Sequence, residues 1–519
     1  MTAYLLGIDI GTTGSKAVLV GADGEIKSSA TTEYPMFTPR PQWAEQDPND
    51  WWAASVASIR RVLSESGAPP GQVVGVGLTG QMHGMVLVDA NGQVLRPCIM
   101  WNDQRATDQC AAITHKVGAS NLLRLIGNPV LPGFTAPKIV WVREHEPQVY
   151  RQIAKALLPK DYVRYRLTGT LMSEVSDASG TALLDVRKRQ WSDEMLQALD
   201  CPRAWLPEVT ESPVVSAHVS AQAARETSLL EGTPVVGGAG DQAAQAVGTG
   251  LVVEGLISIT LGTSGVVFAA SNTYRIEPEG RLHAFCHAVP GMWHLMGVML
   301  AAGGSFRWYR DALGEMERAR AIESGRDAYD LLTEVAAQAP PGCEGLLFLP
   351  YLSGERTPYP DPDARGVFFG LSLRHQKSHL TRAVMEGVTY GLRDSLELMR
   401  ALGLAKKQVR VSGGGARSLL WRQILADVLN TEIVTVNVTE GAALGAALLA
   451  GVGAGVYRNV DEACQKAIRV TDRTEPGPAV SAYADYYPRY QALYRALAPE
   501  LGAMARLVSQ HQERVGGLP

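Results

Sequence analysis

Apolar runs of strand length alternate along the chain with stretches whose apolar residues recur every three or four positions, the pattern of an α/β protein. The first two runs, YLLGIDI (4–10) and KAVLV (16–20), lie too close together for a helix to intervene. With a turn at Asp23-Gly24, they predict an antiparallel opening. Asp47-Pro48 then starts a predicted helix in which Trp52, Val56, Ile59 and Leu63 share one face. VVGVGLTG (73–80) reads as a buried strand, and Asn91-Gly92 as the turn of another hairpin. Between 408 and 434 a strand runs into Gly413-Gly414-Gly415 and a helix that turns Leu419, Leu420, Ile424, Leu425 and Val428 inward. The small-residue helix TEGAALGAALLAG (439–451) is expected to pack behind that one. In the tail, 480–519, Tyr486, Tyr490, Leu493, Leu497 and Leu501 predict a helix docked by one face.

A repeat organises these elements. IGTTGSKAVLV (10–20) is echoed by LGTSGVVFAAS (261–271), each following β-rich sequence, which suggests an internal duplication with one copy per domain. Aligning Gly11 with Gly262 sets Asp9 opposite Thr260, so the first copy alone carries the acid. The expected division is a first domain at 1–250, a second at 251–460 and a helical tail at 461–519; 519 residues exceed what one core holds.

Charge and composition narrow the partners. A formal charge of −4 without a Lys/Arg block argues against nucleic acid and against an anionic membrane surface, so small metabolites fit better. No uncharged apolar run is long enough to span a bilayer, and Asp9 interrupts the apolar run nearest the N-terminus, so neither a membrane span nor a leader is expected. Six scattered cysteines without a C-x-x-C pair suggest neither a zinc ribbon nor a disulfide framework, and a reducing cytoplasmic setting is the expectation.

Asp9 raises the chemical question. A charge inside apolar strand sequence costs several kcal/mol unless a cation or directed donors compensate it, roughly as for any buried carboxylate. Gly11-Thr12-Thr13-Gly14-Ser15-Lys16 follows, with backbone N–H groups, hydroxyls and a cation suited to an anion, although the Walker A spacing is absent. A second acid, Asp241, comes after Gly237-Gly238-Ala239-Gly240. Four small residues leave room for a ligand to reach its carboxylate, as a general base requires; a helix N-cap is the plainer use. The glycines there imitate a dinucleotide motif but lack the acid that would hold a ribose. Two polar clusters suit a hydroxylated ligand: Gln81-Met82-His83 between glycines, and Trp101-Asn102-Asp103, where the indole would stack while the others bind hydroxyls. His283, Cys286, His287 and His294 have a loosely metal-like spacing, but Pro290-Gly291 predicts two strands around a turn instead.

In their order, GIDIGTTGSKAVLV, GQMHGMVLVD, RPCIMWNDQR, LPGFTAPKIVWVREHEP, LPKDYVRYRLTG, TLGTSGV, FLPYLSGERTPYPDPDARGVFFGL and GGGARSLLWRQILADV resemble the FGGY family of carbohydrate kinases over nearly the whole chain. The resemblance implies an actin-like, ribonuclease-H-like two-domain ATPase fold with a duplicated core and an interdomain cleft. Its closest similarity is to members that act on D-xylulose, implying transfer from ATP to the sugar's terminal hydroxyl, with a homodimer possible in the family. By the same resemblance Asp241 is the catalytic base and Asp9 the acid on the Mg2+ side. Gln81, Met82, His83, Trp101 and Asn102, with Asp241, would contact the sugar. Thr12, Thr13, Lys16, Gly262, Thr263, Gly304, Gly414 and Gly415 would surround the ATP phosphates and base. Gln242 after the base and the TEGAALGAA segment depart from the D-xylulose-specific pattern. Another ketose, a polyol or an aldonate is the alternative acceptor, and a non-catalytic actin-like nucleotide-gated binding protein is the alternative class.

Overall fold

A computed structural model describes residues 3–516. Contacts divide the chain into two units. The first contains the chain up to Glu254 together with Ala270–His294 and Asn437–Arg469; the second contains Gly255–Ala269, Leu295–Val436 and the chain from Val470 onward.

In the first unit, strand Tyr4–Ile10 pairs antiparallel with Gly14–Gly21, which pairs with Ile26–Glu33, as the hairpin pattern predicted. On its other side it pairs parallel with Val73–Gly80, and that strand receives Pro234–Val236 and the two-residue strand Ala239–Gly240. The crossover is helix Pro48–Ser66. Pro48 occupies its first turn, the Asp47 carboxylate accepts the Asn49 N–H at 2.9 Å, and left-handed Gly67 ends it. Trp52, Ile59 and Leu63 pack with Leu6, Ile8 and Val76 on one face of the sheet, while Val56 is partly buried.

Helix Gly441–Gly453 covers the opposite face, where Ala443, Leu444 and Leu448 cluster with Leu5 and Val18. This corrects the expectation that the segment packs behind the helix following Gly413-Gly414-Gly415. A Cβ on Gly7 would stand 1.9 Å from the Ala443 carbonyl oxygen, and one on Gly77 2.0 Å from that of Ala446. Helix Asp241–Gly248 meets the same helix as closely: a Cβ on Gly445 would stand 1.9 Å from the Ala244 carbonyl oxygen. Glycine is required on both sides because backbone lies on backbone. The contact-defined units therefore differ from the sequence division at 250 and 460: 437–469 joins the first unit through this seam, and 270–294 joins it as well.

The second unit repeats the strand plan. Leu256–Leu261 pairs antiparallel with Gly265–Ser271 and parallel with Gln408–Ser412, matching the arrangement around Tyr4–Ile10. Its sheet continues through Ile433–Val436 to Val470–Thr474 and, at the other side, to Trp293–Met299. Thr260, opposite Asp9 in the repeat, places its hydroxyl 3.2 Å from that of Ser412, so a neutral hydrogen bond stands where the first copy holds an acid. The C-terminal helix docks on Lys377–Ala401: the Tyr487 hydroxyl donates to Asp394 at 2.6 Å and that of Tyr483 to Glu386 at 2.7 Å. Its buried stripe is Tyr483, Tyr487, Tyr490, Leu493 and Tyr494, sharing Tyr490 and Leu493 with the predicted face. The rest is offset because acidic partners select tyrosines: Glu386 and Asp394 on the long helix, and Asp361 outside it for Tyr494. His283–Cys286 and Trp293–Met299 are strands on either side of Gly291, and among the described residues no cluster of three or more His, Cys, Asp or Glu side chains is arranged to hold a metal ion. All six cysteines are free and buried, and no described helix is long and apolar enough to cross a membrane.

The seam makes a sharp test. Gly77→Ala drives a methyl into the Ala446 carbonyl and is expected to cost on the order of 2–3 kcal/mol in urea denaturation. Gly71→Ala, where a Cβ meets nothing within 4 Å, is expected to change stability by less than about 0.5 kcal/mol.

Candidate active site

The first unit gathers its chemistry at one end of the sheet. Asp9 sits one residue from the end of its strand, and register puts Lys16, Asp9, Thr79 and Ala239 in one row across four strands. Two residues after Ala239, Asp241 begins the helix Asp241–Gly248. Two acids far apart in sequence thus stand at the ends of strands separated by a single neighbour.

Asp9 Oδ1 is enclosed and has no hydrogen-bond partner. Burial and the neighbouring Asp241 charge push the Asp9 carboxyl up from 3.8 to about 7, against the opposing pull of Lys16. Burial also raises Asp241 to about 6, moderated by hydrogen bonds from the Gln242 backbone and side chain. Asp241 remains partly accessible at the surface of its recess. Lys16 offsets the rise at Asp9 only in part: its ammonium is ion-paired with Glu440, the residue just before helix Gly441–Gly453, and the Glu440 charge itself raises Asp9. This alters the expectation for Lys16 as a phosphate ligand: in this structure its charge is already answered. Glu440 escaped sequence reasoning because its partner lies 424 residues away. An enclosed carboxylate oxygen with no donor is a site suited to a hard cation, so the residues present fit Mg2+.

The turn after Asp9 is held from below. Gln46 Nε2 donates to the Thr12 carbonyl at 2.7 Å, the Trp101 indole N–H donates to the Thr12 hydroxyl at 3.2 Å, and that hydroxyl faces Gln81 Oε1 at 3.5 Å. Gln81 also donates to Gln46 at 3.0 Å and is 2 % exposed, so the predicted sugar ligand instead braces the turn. Thr13 is exposed at the turn's tip. Trp101, 44 % exposed, retains an open ring face, and the Asn102 carbonyl Oδ1 has no hydrogen-bond partner. Asp103 is a correction: it is buried against Arg105 at 2.7 Å and accepts the Ala44 N–H at 2.7 Å, so it shapes the loop.

Met82 lies against Gly240, the residue before Asp241. Its Sδ would be 3.1 Å from a Cβ on Gly240, which explains the small residue before Asp241. His83 has a left-handed backbone (φ 71°), and its ring stacks on Phe134 at 4.7 Å. Its Nδ1 is 2.7 Å from the Gly180 carbonyl, which only accepts; the proton therefore sits on Nδ1. Behind Gly240, whose N–H donates to Ser176 Oγ at 3.1 Å, a buried network links Ser176, Glu174, Lys160 and Asp161.

The second unit has its own cavity of about 360 Å³, lined by Gly262, Thr263, Gly414 and Gly415 from the repeat turn and the triple glycine. Gly304 lies beneath it: its N–H donates to the Thr263 carbonyl at 2.9 Å and so fixes the turn. A Cβ on Gly414 would meet nothing within 4 Å, leaving open backbone toward the cavity. Phe306, Tyr329 and Trp421 supply aromatic walls that no local motif announced.

Residues 4–248 match the model of the FGGY carbohydrate kinase N-terminal domain, and 257–454 that of the C-terminal domain. The chain is also 43 % identical over 428 residues to a xylulose kinase of Escherichia coli K12, covering 82 % of this chain and 85 % of that one. The chain belongs to the FGGY family of carbohydrate kinases. Among solved structures, the xylulose kinase from Rhodospirillum rubrum is similar with a TM-score of 0.89 and 32 % identity, covering 96 % of this chain and all of that one. A gluconokinase of Bacillus subtilis is 32 % identical, covering 84 % of each chain. As an FGGY member this is an ATP-dependent carbohydrate kinase of the actin-like ATPase fold.

For such a kinase, stability traded for charge is measurable. Because Asp9 ionises near 7 in the folded chain and near 3.8 when unfolded, its cost is absent at low pH, grows as pH rises through that window, and is complete above it. Without metal or nucleotide, Asp9→Asn is expected to stabilise the protein at pH 8 by on the order of 2 kcal/mol, discounted for partial exposure. At pH 4, the start of that window, the gain should shrink to about a few tenths of a kcal/mol. Denaturation in EDTA at both values checks the sign.

Proposed function

We propose that this FGGY kinase transfers the γ-phosphoryl group of ATP to the terminal hydroxyl of D-xylulose, giving D-xylulose 5-phosphate and ADP. The observation that carries the mechanism is Asp241, a partly accessible carboxylate at a sheet end, one residue beyond the Gly240–Met82 contact and raised to about 6 by burial. A base near neutrality accepts a proton in the transition state yet is largely ionised at working pH. The hydroxyl oxygen bonds to the γ-phosphorus, the bond to the ADP oxygen breaks, and the hydroxyl proton passes to Asp241.

Acceptor binding falls to the Met82-His83 loop, with the exposed ring of Trp101 and the enclosed, unpartnered Oδ1 of Asn102 as further contacts for the sugar. Nucleotide binding falls to the second unit, where Gly262-Thr263 and Gly414-Gly415 offer backbone to phosphate and the aromatic walls suit a base. Magnesium supplies charge neutralisation on the phosphates when bound, and Asp9 would hold it through water. The name of the E. coli relative supports D-xylulose; the gluconokinase similarity keeps an aldonate as the second reading.

ADP release measured with D-xylulose, D-ribulose, glycerol and D-gluconate decides between them. D-Xylulose is expected to give the highest kcat/KM, and preference for gluconate would replace this reading. Asp241→Asn is expected to lower kcat by about a hundredfold to ten-thousandfold with folding intact. Wild-type kcat/KM should decline as pH falls through about 6, the value at which the base takes up its proton. A flat profile to pH 5 would remove Asp241 from that role.

A further inference from the structure

Lys138 is fully enclosed, at 0 % exposure, in the first turn of helix Thr135–His145. Among the described residues it makes no ion pair. Its Nζ instead donates to the His83 carbonyl at 2.9 Å and the Gly133 carbonyl at 2.6 Å. The Thr135 hydroxyl donates to the same His83 carbonyl at 3.1 Å. Burying an amine against uncharged acceptors costs free energy that a leucine would avoid, so its place needs a reason.

The segments it joins supply one. His83 has the left-handed backbone of the acceptor loop, a conformation a non-glycine residue holds only under outside constraint. Gly133 approaches Trp101 so closely that a Cβ would stand 2.5 Å from the Trp101 carbonyl oxygen. Phe134, next along, is the stacking partner of the His83 ring. One amine thus ties together the loop carrying His83, the strip carrying Phe134 and, through Gly133, the backbone of Trp101. Burial pushes Lys138 down to about 7, with Cys98, Asp103, Arg105 and Cys110 as its titratable neighbours. A neutral amine has two N–H bonds, matching the two carbonyls it serves.

We infer that Lys138, with Thr135, is a positioning residue for the acceptor sugar: by gripping the His83 carbonyl it fixes the strained backbone from which the His83 ring is presented. The inference rests on the reading that the Met82-His83 loop contacts the sugar.

The test measures KM and kcat for whichever sugar the wild type phosphorylates, together with KM for ATP, in Lys138→Met, Thr135→Val, Thr135→Ser and His83→Ala. Lys138→Met is expected to raise sugar KM by about tenfold or more, and Thr135→Val by about threefold to tenfold, with ATP KM unchanged. Thr135→Ser, which keeps the hydroxyl, should restore wild-type sugar KM. A folded Lys138→Met with unaltered sugar KM overturns the inference. If Lys138→Met does not fold, the Thr135 pair decides: equal sugar KM for Val and Ser overturns it. An unchanged sugar KM in His83→Ala overturns the underlying loop reading, and the inference with it. A raised KM in His83→Ala beside an unchanged Lys138→Met overturns the inference alone.

Discussion

Two carboxylates without a full countercharge are the constraint around which the first unit is organised. Asp9 and Asp241 are both pushed toward neutrality by burial, and Asp9 further by Asp241. Lys16, whose charge favours ionised Asp9, is itself ion-paired with Glu440. The local network therefore leaves a deficit of positive charge that magnesium would meet, and a second acid close to the pKa at which it exchanges protons at physiological pH. Holding such a deficit destabilises the unliganded fold, which is the usual relation between an active site and its scaffold.

The scaffold answers with close packing. Helix Gly441–Gly453 lies directly on strand and helix backbone because glycine faces glycine or carbonyl along the seam, and this brings Glu440 to Lys16. Packing at that distance leaves little room for the strand ends to shift, so the row containing Asp9, Thr79 and Ala239 is rigid where position matters. Bracing continues sideways. Gln46 and Gln81 hold the turn at Thr12, and Lys138 and Thr135 hold the loop at His83.

Much of this was legible in the chain, for reasons that differ from residue to residue. Asp9 stood out because an acid in an apolar strand has few explanations, and Asp241 because four small residues precede it. The duplicated G-T-[TS]-G turn anticipated the repeated strand plan, since hairpin chemistry is local. What stayed hidden is long-range. Nothing near Lys16 announces Glu440, and nothing near Gln81 says that its amide faces Gln46 instead of a ligand. The helix 441–453 was expected behind the helix after Gly413-Gly414-Gly415, because its own small residues do not say which backbone they lie on; the contacts with Gly7 and Gly77 are long-range. Asp103 looked like a sugar ligand in sequence because its bond to Arg105 depends on the loop's path. In the tail, the docking stripe follows Asp394 and Glu386 on another helix, which apolar periodicity alone does not register.

Burial makes the protons of both carboxyls leave late, and the Asp241 charge delays that of Asp9 further. A carbon-13 NMR titration of aspartate-labelled protein in EDTA, with Asp9→Asn and Asp241→Asn for assignment, measures this directly. Side-chain carboxyl resonances are expected to titrate near 7 for Asp9 and near 6 for Asp241. Both resonances titrating at about 4, as exposed aspartates do, would contradict it.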